Sequence, residues 1–97
     1  MPTNPLGPRP GGTASKLNVS ATTVIKASPG TLFRVNVVTA GATGAVYDNA
    51  STSTGNTAAN LIAEIPAVVG SYEFTWPAFT GITYVPGAAQ VAAFAFS

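Results

Sequence analysis

Residues 71–77 read Ser71-Tyr72-Glu73-Phe74-Thr75-Trp76-Pro77, with polar and aromatic side chains alternating until a proline stops the pattern. A period of two is the mark of a β-strand with one face against a core. Working outward, the neighbouring segments read the same way. Asn60–Ile65 (NLIAEI) ends at Pro66, and Gly81–Val85 (GITYV) is divided from Gln90–Phe96 (QVAAFAF) by the Pro86-Gly87 turn. Upstream, Thr22–Ala27 (TTVIKA) stops at Ser28-Pro29-Gly30 and Thr31–Thr39 (TLFRVNVVT) runs to a turn at Gly41–Gly44. Ala45–Asp48 (AVYD) is a further short strand. The Ser-, Thr- and Asn-rich stretch 49–60 reads as a surface loop. Alternation places Phe33, Val35 and Val37 on one face of their strand and Leu32, Arg34, Asn36 and Val38 on the other. In the last strand Phe94 and Phe96 share a face, and Val91, Ala93 and Ala95 the opposite one. Thr57–Ala63 contains good helix formers, but Asn60 and Pro66 limit any helix there to two turns. Strands at this spacing predict an all-β fold: a small antiparallel β-sandwich, jelly-roll-like in outline.

The first 21 residues differ from the rest. Pro2, Pro5, Pro8 and Pro10 precede Gly11-Gly12 and a polar stretch to Ala21. Proline fixes φ, removes a backbone donor and pushes its predecessor toward extended geometry. The segment is expected to be an extended N-terminal arm with a Gly-Gly joint, and residues 22–97 the β-sandwich domain.

Charge is scarce. The basic residues are Arg9, Lys16, Lys26 and Arg34, and the acidic ones Asp48, Glu64 and Glu73; the net charge is +1 and only 7% of residues are charged. Soluble domains average about 25%. Such a surface gives little electrostatic repulsion and is suited to lying against other protein. A neutral chain without a basic cluster is not expected to bind nucleic acid, whose phosphates demand several Lys or Arg contacts. The apolar runs are far shorter than a membrane span of about 18 residues, so no membrane partner is expected. The N-terminus also lacks the basic and apolar regions of a secretory signal.

The inventory for catalysis is equally thin. The chain has no His and no Cys, so Ser or Thr nucleophiles lack a histidine base and there is no thiolate chemistry. Gly41–Gly44 lacks the lysine of a phosphate loop. Asp48-Asn49 offers too few ligands for a metal and reads as a turn. Glu64 and Glu73 are expected on the solvent face or at an interface, paired with Lys26 or Arg34. Arg34 itself marks either the solvent face or an inter-subunit ion pair. No enzyme activity, cofactor or metal is expected. Tyr72, Phe74 and Trp76 read as core aromatics. Exposure of Trp76 or Tyr84 would instead suit a glycan-stacking surface.

An uncharged last strand is an unprotected sheet edge unless it is central or covered by another chain. An arm of 21 extended residues spans up to about 70 Å, enough to join a neighbour's sheet or groove. Together these suggest assembly.

The run VIKASPGTLFRVNVVTAGATGAVYDNA, followed by NLIAEIPAVVGSYEFTWPAFTGITYVPGAAQVAAFAFS, resembles a group of small tailed-bacteriophage and prophage proteins. The shared features are PG before an LxRVxV strand, an AG…G.VYD turn, an IP…G.Y strand and a final PGxxQV strand. The similarity covers residues 24–97, leaves the arm outside, and rests on turn and core residues. It implies a virion component, a capsid decoration (cement) protein on the capsid exterior that binds at capsomer junctions. The major capsid protein would be its partner, and it would self-associate as a homotrimer or dimer. The arm residues Pro2, Pro5, Leu6, Pro8, Arg9, Pro10, Lys16 and Leu17 would make the partner contacts. A head-fibre base, a tail or baseplate subunit and a glycan-binding adhesion module are the alternatives.

Overall fold

The computed structural model describes residues 14–97. They form eight strands: β1 (Ala14–Val19), β2 (Thr23–Lys26), β3 (Gly30–Thr39), β4 (Gly44–Tyr47), β5 (Leu61–Ile65), β6 (Gly70–Ala78), β7 (Ile82–Val85) and β8 (Val91–Phe96). One 3-10 turn, Ala58–Asn60, stands where the sequence left room for a short helix. The strands make two four-stranded antiparallel sheets, ordered β1-β8-β3-β6 and β2-β7-β4-β5. The ladders β1·β8, β2·β7, β3·β6 and β4·β5 nest as in one long hairpin whose tip joins β4 to β5. The further ladders β3·β8 and β4·β7 fold that hairpin into two layers. The expected β-sandwich is therefore the fold.

The core lies between the layers. The first sheet contributes Val19, Leu32, Val35, Val37, Ala78, Ala92, Phe94 and Phe96, and the second Ile25, Val46, Ile65, Ile82 and Tyr84. Each fully buried Leu, Ile or Phe contributes roughly 1.5–3 kcal/mol from apolar burial. Tyr84 and Phe94 meet across the layers with ring centroids 4.8 Å apart and tilted planes. The buried Tyr84 hydroxyl donates to Gln90 Oε1, and Gln90 Nε2 donates to the carbonyls of Ile65 (3.3 Å) and Pro66 (3.1 Å). One polar pair thus ties β7 and the start of β8 to the end of β5. Gly44 is required beneath it, because a Cβ there would collide with Gln90 Oε1. Burial pushes the Tyr84 hydroxyl up to about 12.

Three expectations are corrected. First, the sequence division at residue 21 falls inside the fold, because Ala14–Val19 pairs with β8. A polar segment can do this at an edge, where only one side needs a partner, and β1 is exposed along all but its last residue. Its register slips between Lys16 and Val19, where Asn18 takes a positive φ of 57°. Such a bulge suits Asn, which tolerates that region. Second, Leu32, not Phe33, joins Val35 and Val37 in the core. Phe33 is an extra residue relative to β8, between the pairs Leu32↔Phe96 and Arg34↔Ala95, and this bulge reverses the alternation. Third, Trp76 does not join Tyr72 and Phe74 against the core. These two pack partly buried against the core, whereas Trp76 is 51% exposed. Trp76 stays in register with buried Leu32 but sits on an edge strand, which continues through Pro77 to Ala78. An edge strand accepts proline because one side of it needs no partner.

Candidate interaction surface

The scarce charges are placed by topology. The four edge strands are β1, β6, β2 and β5, and each carries one charged residue: Lys16, Glu73, Lys26 and Glu64 respectively. Charged side chains on an edge discourage another strand from adding to it. Arg34, on the inner strand β3, pairs with Glu73 on its neighbour. This joins two residues opposite each other in register, and an exposed pair of this kind contributes about 0.2–1 kcal/mol. It is the one ion pair among the described residues, and it is made within the chain. The uncharged strand β8 is central, flanked by β1 and β3.

Asp48 has a different task. It leaves the end of β4 and grips the β6–β7 turn, accepting from the backbone N–H of Phe79 (2.9 Å), Thr80 (2.8 Å) and Gly81 (3.3 Å). Burial raises its pKa, but the three backbone donors outweigh this and hold the carboxyl below its ordinary value. The residue expected to form its own turn instead fixes a turn more than thirty positions away. Among the described residues no group of acidic residues gathers that could hold a metal.

The fixed turn presents an aromatic corner. Phe79 is 77% exposed, beside Trp76. With Leu61, Pro77, Thr75, Asp48, Ala59 and Asn60 they line a hollow of about 430 Å³ between the edges of β5 and β6. Its polar walls are already engaged. The Asp48 carboxylate holds the turn, and Asn60 Nδ2 donates to the Gly55 carbonyl at 2.7 Å. Phe79 and Leu61 were not singled out by sequence. The signal was there for Phe79, because an aromatic between Pro77 and Gly81 lies in a turn and has no sheet face to occupy.

The two outer faces of the sandwich differ. On the β2-β7-β4-β5 sheet, the polar loop reaches back over the strands. Thr83 is fully buried and donates from Oγ1 to the Asn49 carbonyl at 2.8 Å. Asn49 Nδ2 organises the loop through the Ser51 and Thr54 carbonyls and Asn56 Oδ1. On the other sheet the outward positions in register near its middle are small, with exposed Val38 beyond them on β3. Asn36 stands in register with Ala93 and Ser71, and Arg34 with Ala95 and Glu73. Ser15 extends the second row from β1. The charges on this face are the mutually paired Arg34 and Glu73, so it is electrically closed.

Of the arm candidates, Lys16 and Leu17 lie exposed on β1, Leu17 at 72%. Pro2, Pro5, Leu6, Pro8, Arg9 and Pro10 lie outside the described residues. Tyr84 is fully buried and offers no stacking surface, whereas Trp76 does. No helix among the described residues is long and apolar enough to cross a membrane. Comparison with protein families, with curated proteins and with solved structures finds no match.

Proposed function

We propose that this chain is a structural protein of a tailed-phage particle, a capsid decoration protein. It would sit on the capsid exterior at capsomer junctions, with the major capsid protein as its partner, and associate with itself as a homotrimer. The reading draws on the resemblance of residues 24–97 to small phage virion proteins. It is also supported by the strand order. Four nested ladders wound into two layers resemble a jelly roll, an arrangement used in viral shells and also in lectins. A fold alone does not decide function. The observation that carries the proposal is the outer face of the β1-β8-β3-β6 sheet, made of small side chains and one self-neutralised ion pair. Such a face can approach another protein surface closely without leaving a buried unpaired charge. The work is mechanical: area buried across a junction opposes separation of the capsomers. No cofactor and no catalytic step are involved.

The test is binding to purified capsids that lack the protein. Ala93→Lys places a single unpaired charge at the centre of this face, on the solvent side of the fold. We expect an unchanged melting temperature and at least about a tenfold loss of capsid affinity. Unchanged affinity would remove this face from the contact.

Trp76 favours a second reading, a glycan-binding adhesion module, because half of its surface is open beside Phe79. Saccharide sites also need free, convergent hydrogen-bonding groups. Here Asp48 and Asn60 are spent on backbone partners, so the corner suits an apolar occupant better.

A further inference from the structure

We infer that the hollow at Trp76 and Phe79 receives the proline-rich segment of a second copy of this chain, in a ring built from opposite sides of the sandwich. The inference rests on the self-association in the preceding reading and names its surface. It is tested without capsids, so its failure leaves capsid binding an open and separate question.

Charge is the first argument. β1 and β2 are joined by three residues and form one lateral side, which carries Lys16 and Lys26. β5 and β6 are joined by four residues and form the opposite side, which carries Glu64 and, paired with Arg34, Glu73. One side of the molecule thus carries two lysines, and the other is acidic through Glu64, because Glu73 is matched by Arg34. Two different, complementary surfaces on one subunit generate a head-to-tail contact, which closes into a ring when the rotation allows. Electrostatic complementarity of this kind sets orientation and register.

The second argument is the placement of the chain. Ala14 pairs with Phe96, Phe96 with Leu32, and Leu32 with Trp76, so Ala14 and Trp76 mark opposite ends of one row across the sheet. Three strand spacings put them roughly 14 Å apart. The segment before Ala14 therefore enters from the basic side, while the hollow opens on the acidic side. To fill its own hollow the segment must double back across the end of the sandwich. To fill a neighbour's, it leaves the end of β1 and crosses to the hollow of a copy standing beside that edge. Thirteen residues reach up to about 45 Å.

The third argument is chemical fit. Pro5-Leu6-Gly7-Pro8-Arg9-Pro10 has the composition of a polyproline II ligand, which loses little conformational entropy on binding and packs its rings between aromatic side chains. Trp76, Phe79 and Leu61 provide exposed apolar walls. Arg9 would arrive at the acidic side.

The experiment uses the full chain, light scattering across a concentration series, and the emission of Trp76, the single tryptophan. Association should be accompanied by a blue shift and reduced acrylamide quenching. Leu6→Asp, and separately the pair Lys16→Glu and Lys26→Glu, should each weaken association at least about tenfold. Mixing the doubly substituted chain with a Glu64→Lys chain should restore association that neither shows alone. A peptide of residues 1–13 should blue-shift Trp76 in the doubly substituted monomer. The inference is overturned if the protein is monomeric at all concentrations. It is also overturned if Trp76 is shielded independently of concentration, which would place the segment in its own hollow. An oligomer indifferent to all of these substitutions would equally overturn it, by placing the interface elsewhere.

Discussion

At the scale of single residues, the charged side chains among the described residues each have a structural assignment that composition did not give. Asp48 is the clearest. Its three backbone acceptor contacts make it the clamp of the turn that carries Phe79. Asp48→Ala should cost about 1–3 kcal/mol, seen as a fall in melting temperature of several degrees for a domain of this size. The pH dependence follows from its lowered pKa. The unfolded chain holds the Asp48 proton more tightly than the folded one. Its contribution is therefore fully present above the ordinary aspartate value of 3.8 and is lost as pH falls from there through the lower folded value. Asp48→Asn should flatten that part of the stability profile, measured by chemical denaturation across an acid pH series. An unchanged acid limb would mean that Asp48 does not clamp the turn. The sequence showed an Asx residue after a strand, and the turn expectation was reasonable. What it could not show is that the donors come from a turn brought alongside by the β4·β7 ladder.

Among the elements, strand existence was legible and strand faces were not always so. Thr23–Lys26, Gly30–Thr39 and Val91–Phe96 stand close to where alternation and turn residues put them, and Phe94 and Phe96 point inward as the pattern required. One error of face arises at a bulge. One added residue at Phe33 exchanges inside for outside on β3, and nothing in residue type marks a bulge that only partner strands define. This is why Leu32 rather than Phe33 is buried; Trp76, in register with Leu32, is exposed because β6 is an edge strand. Strand β1 was missed because Ala14–Val19 is polar and follows a proline-rich segment, so local sequence gave no sign of its pairing with β8. A truncation pair separates its role from that of the preceding segment. Chains starting at Ala14 retain all eight strands and should stay folded, monodisperse apart from any lost self-association. Chains starting at Ser20 expose β8, an edge with no charge, and should aggregate or lose about 2–4 kcal/mol or more. Equal stability and solubility of the two would refute the protective role of β1.

For the whole molecule, the low charge takes on a definite form. Four of the seven charged residues are distributed one to each sheet edge, two basic on one side and two acidic on the other. Arg34 is engaged with one of these, Glu73, and Asp48 with the β6–β7 turn. One outer face is small-residue and electrically closed, and an aromatic corner stands open at the acidic side. This arrangement is suited to adhesion between protein surfaces, and the proposed role as a capsid decoration protein gives each feature a use. That role was legible only through the resemblance, whose matching residues are turn and core positions that specify a fold. The surface that would do the binding is made of Ala, Ser, Asn, Val38 and an edge-strand Trp, none of which carries a recognisable motif. The most direct test is a reconstruction of the phage particle with and without this protein. The account predicts a sandwich-shaped density on the outside of the head at capsomer junctions, absent from particles that lack the chain. Density on the tail or baseplate, or no difference between the two particles, would contradict it.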